Sequence, residues 1–286
     1  MNAVTFPGLG LSFELNPIAV TVFGWSIHWY GIIIAFGFTL AFLYCAKHAK
    51  EYGFTGDELL DMLIFAAPGA IIGARLYYVI FYLDQFRHAD GSLDIAKMFR
   101  IHDGGIAVYG SIIAAVLVAW LVMRHKKKPF LAMADLCAFG LLIGQMVGRW
   151  GNFVNVEAFG GETTLPWRMG IHQWVGGQIQ YLEVHPTFLY ESLWNLFGLI
   201  FLIVLTKKGL RKFDGMVFFT YIAWYGFGRG LIEGLRTDSL YFFETGLRVS
   251  QLVGFLSALA AIVYLIFRLR QRPDPGDMFV NKRKES

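Results

Sequence analysis

Gly148-Arg149-Trp150-Gly151-Asn152-Phe153-Val154-Asn155-Val156-Glu157 closes a long apolar segment with an arginine, two asparagines and a glutamate. Hydrocarbon does not accept such groups without a reason. An ionisable side chain at membrane depth costs about 3 kcal/mol or more, so it typically faces a protein-lined or watery cavity and marks a site. Arg75 and the pair Arg229 and Glu233 interrupt two other apolar segments.

The surrounding composition settles what those segments are. Of 286 residues, 56% are hydrophobic and only 16% charged, which excludes an ordinary soluble domain of this length. Apolar runs long enough to cross a core of about 30 Å fall near 25–46, 59–82, 105–123, 130–149, 187–206, 215–234 and 248–267. The fourth is short and carries Asp135 near one end and Arg149 at the other. The expected architecture is an all-α membrane protein with seven transmembrane helices, forming a single polytopic domain over residues 1–286.

Basic residues orient these runs, because short cytoplasmic loops hold the excess of lysine and arginine. Lys47 and Lys50 follow run one, Arg124 and Lys126–Lys128 run three, Lys207, Lys208, Arg211 and Lys212 run five, and the remaining cluster runs from Arg268 to Lys284. Together they hold 16 of the 25 lysines and arginines, all on one side. The amino terminus is therefore expected outside and the carboxyl terminus in the cytoplasm. The net charge of +4 reflects these anchors, so no nucleic-acid partner is implied.

Residues 1–20 lack a basic start and carry Glu14, Asn16 and Pro17 where a signal peptide would be apolar, so the first run is expected to serve as the targeting signal. Cys45 and Cys137, the only cysteines, are too few for a disulfide framework or a cysteine metal site and read as small buried apolar residues. The outer loop near 83–104 has mixed charge and reads as a solvated connection. The second outer loop, about 151–186, alternates apolar and polar residues on both sides of Gly176-Gly177, the pattern of a β-hairpin. The tail at about 268–286 is polar after Pro273-Asp274-Pro275-Gly276 and is expected to lack structure.

With this topology, the unusual polar residues gather toward the outer ends of the runs. They comprise His28 to Tyr30, Arg75 with Tyr77 and Tyr78, Asp103-Gly104-Gly105 with Tyr109, Arg149 with Asn152, His185-Pro186-Thr187 with Tyr190-Glu191, and Tyr225, Arg229, Glu233 and Arg236. Tyr225, Arg229 and Glu233 recur at helical spacing and share one stripe. Arg149 and Asn152 share a face if the helix continues that far. The planar donor fork of arginine suits phosphate, so two arginines in one outward cavity point to a lipid-phosphate site. Plainer readings stand beside it: Arg229 and Glu233 as a packing ion pair, Arg75 snorkelling to the interface, His28 as an interfacial belt residue, and Asp61 and Asp135 as structural acids.

Gly148 to Gly160 closely resembles the signature of the bacterial prolipoprotein diacylglyceryl transferases. Trp29-Tyr30-Gly31, Gly73-Ala74-Arg75-Leu76-Tyr77-Tyr78, Asp103-Gly104-Gly105, His185-Pro186-Thr187 with Leu189-Tyr190-Glu191, and Tyr225-Gly226-Phe227-Gly228-Arg229 followed by Glu233 appear in the family's order. The resemblance implies a seven-helix enzyme of the bacterial cytoplasmic membrane. It would transfer the diacylglyceryl group of phosphatidylglycerol to the lipobox cysteine of a prolipoprotein signal peptide, releasing glycerol 1-phosphate without metal or cofactor. Carried over by position, Arg149 is the essential phospholipid-binding arginine and Arg229 the second key arginine. Tyr30, Asn152, Glu157, Gly160 and Glu233 match other functional positions; Arg75 joins the substrate-binding set, and Tyr225, Tyr190 and Glu191 the supporting one.

The chain departs from the family pattern twice. Many members have histidine in a His-Gly pair where this chain has Tyr109-Gly110, leaving Tyr109 or His102 as candidate bases for the thiol. The signature also commonly has glycine where Val156 stands. A reading of a different class, a phospholipid-phosphate transporter or scramblase, would call for polar residues continuing to the cytoplasmic side and a hydropathy repeat between halves. Neither pattern is present in the sequence.

Overall fold

The computed structural model describes residues 2–88, 90–100, 104–241 and 246–285. By packing, the chain divides into two compact units, residues 1–48 with 134–286, and residues 49–133. Helices dominate: α1 (Trp29–His48), α2 (Gly56–Phe81), the short α3 (Ile95–Phe99), α4 (Val108–His125), α5 (Phe130–Asn155), α6 (Thr187–Lys207), α7 (Met216–Glu233), α8 (Val249–Arg270) and the short α9 (Phe279–Glu285). Among the described residues, six helices are long and apolar enough to cross a membrane; α7 has comparable length, but Arg229, Glu233 and its glycines dilute its apolar content. The chain is a multi-pass membrane protein whose helices leave large apolar side chains such as Ile34, Phe36, Phe65 and Leu259 exposed.

The fold is mostly helical, as expected, but it carries more strand than the one expected hairpin. Strands β1 (Asn2–Phe6), β2 (Leu11–Leu15), β5 (Met169–Val175) and β6 (Gln178–Val184) form a four-stranded sheet in the order β2-β1-β5-β6, and β3 (Ile18–Val22) pairs with β4 (Trp25–His28) in a separate hairpin. The expected hairpin around Gly176-Gly177 is present as β5 and β6, antiparallel throughout. The strands before α1 correct the expected first run, which began at residue 25. Trp25 to His28 is strand, and the helix starts at Trp29. Hydropathy merges the two because both are apolar, whereas Ile18, Val20, Thr21 and Val22 have the branched side chains that favour pleated backbone.

Alternation then builds a core. Val4 and Phe6 of β1, Met169 and Ile171 of β5, and Val184 of β6 point to one face and close over Phe153 of α5 and Phe188 of α6. The sheet is thereby fixed to the C-terminal end of α5 and the N-terminal end of α6.

At the opposite end of the same unit, Asp135 of α5 is fully buried and caps α7. Its carboxylate accepts the backbone N–H groups of Gly215 (2.8 Å) and Phe218 (2.8 Å), satisfying donors that a helix start leaves open. Arg211 bridges Asp135 (3.1 Å) and Asp214 (2.6 Å). The tail is not structureless: Asp214 also accepts the Phe279 N–H at 2.9 Å at the start of α9, and Val280 is buried.

Small residues set the helix spacing. Trp194 of α6 and Trp224 of α7 stack with ring centroids 4.7 Å apart, and each indole N–H donates to the other residue's carbonyl, at 3.0 and 2.9 Å. Trp224 lies on Gly198 and Trp194 on Gly228, positions where a Cβ would collide with the indole. Gly226 and Gly230 likewise admit α8 at Gly254.

In the unit of residues 49–133, Thr55 and Glu58 form a reciprocal capping box at the start of α2. Lys128 pairs with Glu58, and Lys126 with Asp61 at 2.7 Å. Gly69 and Gly73 of α2 meet Val118, Ala114 and Gly110 of α4, so the two backbones approach closely, as small residues permit in membrane helices.

Candidate functional site

The signature occupies the last turns of α5, which runs six residues beyond the expected end at 149 and places Arg149 and Asn152 on one face, with Arg149 Nη1 3.4 Å from Asn152 Oδ1. The helix stops in a definite way. Val156 takes a left-handed conformation (φ 53°), the Glu157 N–H returns to the Asn152 carbonyl at 3.1 Å, and the Val156 N–H to Phe153 at 3.2 Å. This is the Schellman arrangement, in which glycine is the usual left-handed residue. Valine holds this left-handed geometry at a steric cost of about 1–2 kcal/mol.

A second left-handed residue, Ala158 (φ 57°), turns the chain toward α6 and α7. The Ala158 carbonyl accepts the Thr187 hydroxyl, the Gly160 N–H donates to the His185 carbonyl at 2.9 Å, and the Gly161 N–H to Leu235 at 2.8 Å. Gly160 pairs with Arg236 in a two-residue bridge. A Cβ on Gly160 would lie 2.7 Å from that of His185 and 3.0 Å from the Leu235 carbonyl, so glycine is required by space.

These ties bring the ends of α5, α6 and α7 together around Glu191. The Glu191 carboxylate, only 4% exposed, places Oε2 2.5 Å from Arg149 Nη2 and Oε1 3.0 Å from Arg229 Nη1 and 3.4 Å from Arg236 Nη1. One acid from α6 thus binds arginines from α5, α7 and the turn after α7. Glu233 Oε2 approaches Arg229 Nη2 to 2.5 Å outside the hydrogen-bonding direction, and Arg236 Nε at 3.9 Å. Arg236 completes its fork on Asp238, at 2.9 and 2.7 Å. Three guanidinium groups therefore face three carboxylates. The Arg149 and Arg229 side chains remain 20% and 17% exposed.

Among the described residues, Glu157 forms no ion pair with an arginine. It accepts from Asn152 Nδ2 at 2.8 Å, which turns the Asn152 carbonyl oxygen toward Arg149. Tyr30, in the first turn of α1, lays its ring on Gly151, where a Cβ would lie 2.7 Å from Tyr30 Cδ2. Tyr225 lies one helical turn below Arg229, and its ring stacks on Tyr221. Tyr190 accepts the Trp167 indole N–H at 2.8 Å and meets His185 Nδ1 at 3.2 Å.

The structure brings Arg149, Asn152, Glu191, Arg229 and Glu233 together at the ends of α5, α6 and α7, with Glu157 in the turn after α5; Arg229 and Glu233 pair as their helical spacing suggested, and Glu191 is the acid that Arg149 and Arg229 share. Arg236 was not among the predicted site residues. Its spacing of seven from Arg229 and three from Glu233 was the available signal, weakened because α7 ends at Glu233 and Arg236 follows in the turn.

In the other unit, Arg75 is not exposed, and among the described residues it forms no ion pair with an acid. It donates four hydrogen bonds to backbone carbonyls, two at the end of α3 and two in the segment before α4: Nε to Met98 (2.9 Å), Nη2 to Lys97 (2.7 Å), and Nη1 to Gly104 (2.7 Å) and Gly105 (2.8 Å). Gly104 and Gly105 both have positive φ, which turns their carbonyls onto the guanidinium. Tyr109 opens α4 beside Gly110, which packs on Gly73. His102 and Asp103 lie outside the described residues.

The family model for prolipoprotein diacylglyceryl transferase matches residues 17–267. A phosphatidylglycerol–prolipoprotein diacylglyceryl transferase of Lysinibacillus sphaericus is 41% identical over 92% of this chain and 96% of its own. Proteins of the same name from Oceanobacillus iheyensis (42% identical, 89% of this chain and 88% of the relative) and Listeria welshimeri (40%, 91% and 92%) are similar over nearly their whole lengths. With a family match that spans both units and relatives this similar end to end, the chain belongs to the prolipoprotein diacylglyceryl transferase family.

Proposed function

We propose that this protein transfers the diacylglyceryl group of phosphatidylglycerol to the thiol of a lipobox cysteine in a prolipoprotein, the first step of bacterial lipoprotein maturation. The observation that carries the reading is the joining of Arg149 and Arg229 through Glu191, with both arginine side chains partly exposed. Seven crossings of the bacterial cytoplasmic membrane, with the sheet outside, fit the basic ends of α6 and α8, which lie away from the sheet.

The chemistry forms a carbon–sulfur bond at the terminal glyceryl carbon of the diacylglyceryl group and breaks that carbon's bond to the phosphate oxygen. The thiol proton leaves, and glycerol 1-phosphate departs with the bonding pair. Arg149 and Arg229 bind the phosphate in the ground state and offset the charge that grows on the departing oxygen, where fixed donors in a low-dielectric site help most. Glu191 holds the two forks in register before substrate arrives, so they need little reorganisation. Asn152, oriented by Glu157, and Tyr30, seated on Gly151, supply neutral hydrogen bonds to glycerol or phosphate oxygens. A free cysteine of pKa about 8.5 is a few per cent thiolate near neutrality, and nearby guanidinium groups increase that fraction. Arg75 acts on the loop it clamps.

The test incubates purified protein in phosphatidylglycerol-containing detergent with a lipobox peptide, following peptide mass and glycerol phosphate release for wild type and Arg149→Ala. A diacylglyceryl mass gain with equal release, absent in the variant, supports the proposal. Folded, lipid-binding protein that gives no gain overturns it in favour of phosphate-site transport.

A further inference from the structure

The hairpin of β3 and β4 forms a sheet of its own. Among the described residues its strands pair with each other alone, and Val22 faces Trp25 while Val20 faces Ile27. Paired residues share a face, so Val20, Val22, Trp25 and Ile27 make one apolar surface, with Thr21 and Ser26 on the other. All four are exposed, Trp25 by 81%. Two strands with an uncovered apolar face are marginal in water, so something covers this one.

The turn is more telling. Phe23 (φ 49°) and Gly24 (φ 83°) are both left-handed, as a two-residue hairpin loop of this type requires, and asparagine-glycine is its favoured sequence. Here the first position holds phenylalanine, 99% exposed. Neither turn geometry nor packing within the protein accounts for an aromatic ring there.

The neighbouring chain names the occupant. No aspartate, glutamate, lysine or arginine occurs between Glu14 and Lys47, a stretch that holds the whole hairpin and nearly all of α1, a membrane-length helix. The Trp29 N–H donates to the Pro17 carbonyl at 2.9 Å, locking the base of the hairpin to the start of α1. Trp25, Trp29 and Tyr30 form an aromatic group of the kind enriched at membrane interfaces, and below them α1 exposes Ile32, Ile34 and Phe36. We propose that the apolar face of the Ile18–His28 hairpin is a lipid-contact surface continuous with α1, with Phe23 inserted among the lipids. Through Tyr30 on Gly151 this surface is tied to the end of α5 that carries Arg149 and Asn152.

The test places a nitroxide at Phe23→Cys and, separately, at Gln178→Cys on the β5–β6 hairpin, with Cys45 and Cys137 changed to alanine, in phosphatidylglycerol–phosphatidylcholine vesicles. Oxygen should relax the label at 23 several-fold more effectively than a water-soluble nickel chelate, with the reverse order at 178. Equal access of the chelate to both positions overturns the proposal. So does strong spin–spin coupling at 23, lost on dilution with unlabelled protein, which would make a second copy the occupant. Phe23→Asn suits the turn, so it should fold with an unchanged or higher Tm while brominated lipid quenches less of its tryptophan emission. Unchanged quenching counts against insertion.

Discussion

Glu191 and Arg149 meet at 2.5 Å although they lie on different helices, and the other oxygen of the same carboxylate holds Arg229. Glu191→Gln keeps the shape and removes the shared counter-charge. Removing one partner of a buried pair typically costs about 3–5 kcal/mol, so this variant should melt earlier than wild type. An anionic lipid should recover part of the loss. Thermal unfolding with phosphatidylglycerol against phosphatidylcholine checks this, and equal recovery by both lipids would contradict it.

Arg149→Lys conserves charge but loses the planar fork that spans Glu191 and Asn152. Loss of one well-placed donor at a developing oxyanion costs about 10²–10³ in rate, so turnover should fall by about that factor with KM changed far less. Steady-state transfer to a lipobox peptide measures the split.

Arg75→Met removes four hydrogen bonds from a positive donor to the carbonyls of Lys97, Met98, Gly104 and Gly105. At about 2 kcal/mol lost in local stability, a conservative sum for charge-assisted bonds, amide protection at residues 97–100 and 104–107 should fall about thirty-fold. Hydrogen exchange resolved by mass spectrometry reads it directly, and unchanged protection would refute the clamp.

Gly228→Ala drives a methyl into the Trp194 indole, whereas Gly144 of α5 has nothing within 4 Å of an added Cβ. Overpacking costs about 1–3 kcal/mol, while alanine for glycine in a helix gains about 0.5–1 kcal/mol where space allows. The two alanine variants should therefore move Tm in opposite directions.

Asp238 is raised by partial burial, but hydrogen bonds and charge from Arg236 outweigh that and hold its carboxyl below the ordinary carboxylate range. A lowered folded pKa contributes stability above the unfolded value of about 3.9, lost as pH falls through the folded value. The stability difference between wild type and Asp238→Asn should therefore be constant from pH 8 to about 5 and shrink only below about 4. Unfolding midpoints across that range test the sign.

The helices and most of the candidate site were legible because hydrocarbon imposes a strong rule: each apolar run became a helix, and the charges within them stood out. Arg149, Arg229 and Glu233 were visible for that reason, as was the hairpin around Gly176-Gly177, whose alternation and turn residues are local signals. Residues 2–28 were not read as strands, because the core face of β1 is completed by β5, more than 160 positions away, and hydropathy does not distinguish a strand from the start of a span. Nor could a linear pattern show that Glu191, rather than Glu157, joins the arginines. That depends on the left-handed residues Val156 and Ala158, which turn the chain between α6 and α7 and direct Glu157 onto Asn152. Which segments leave water, and which charges go with them, is written in the order of residues, since both follow from the transfer free energy of individual side chains. Which acid each arginine meets is settled in three dimensions, because helix ends are brought together over long separations through backbone turns and close glycine contacts.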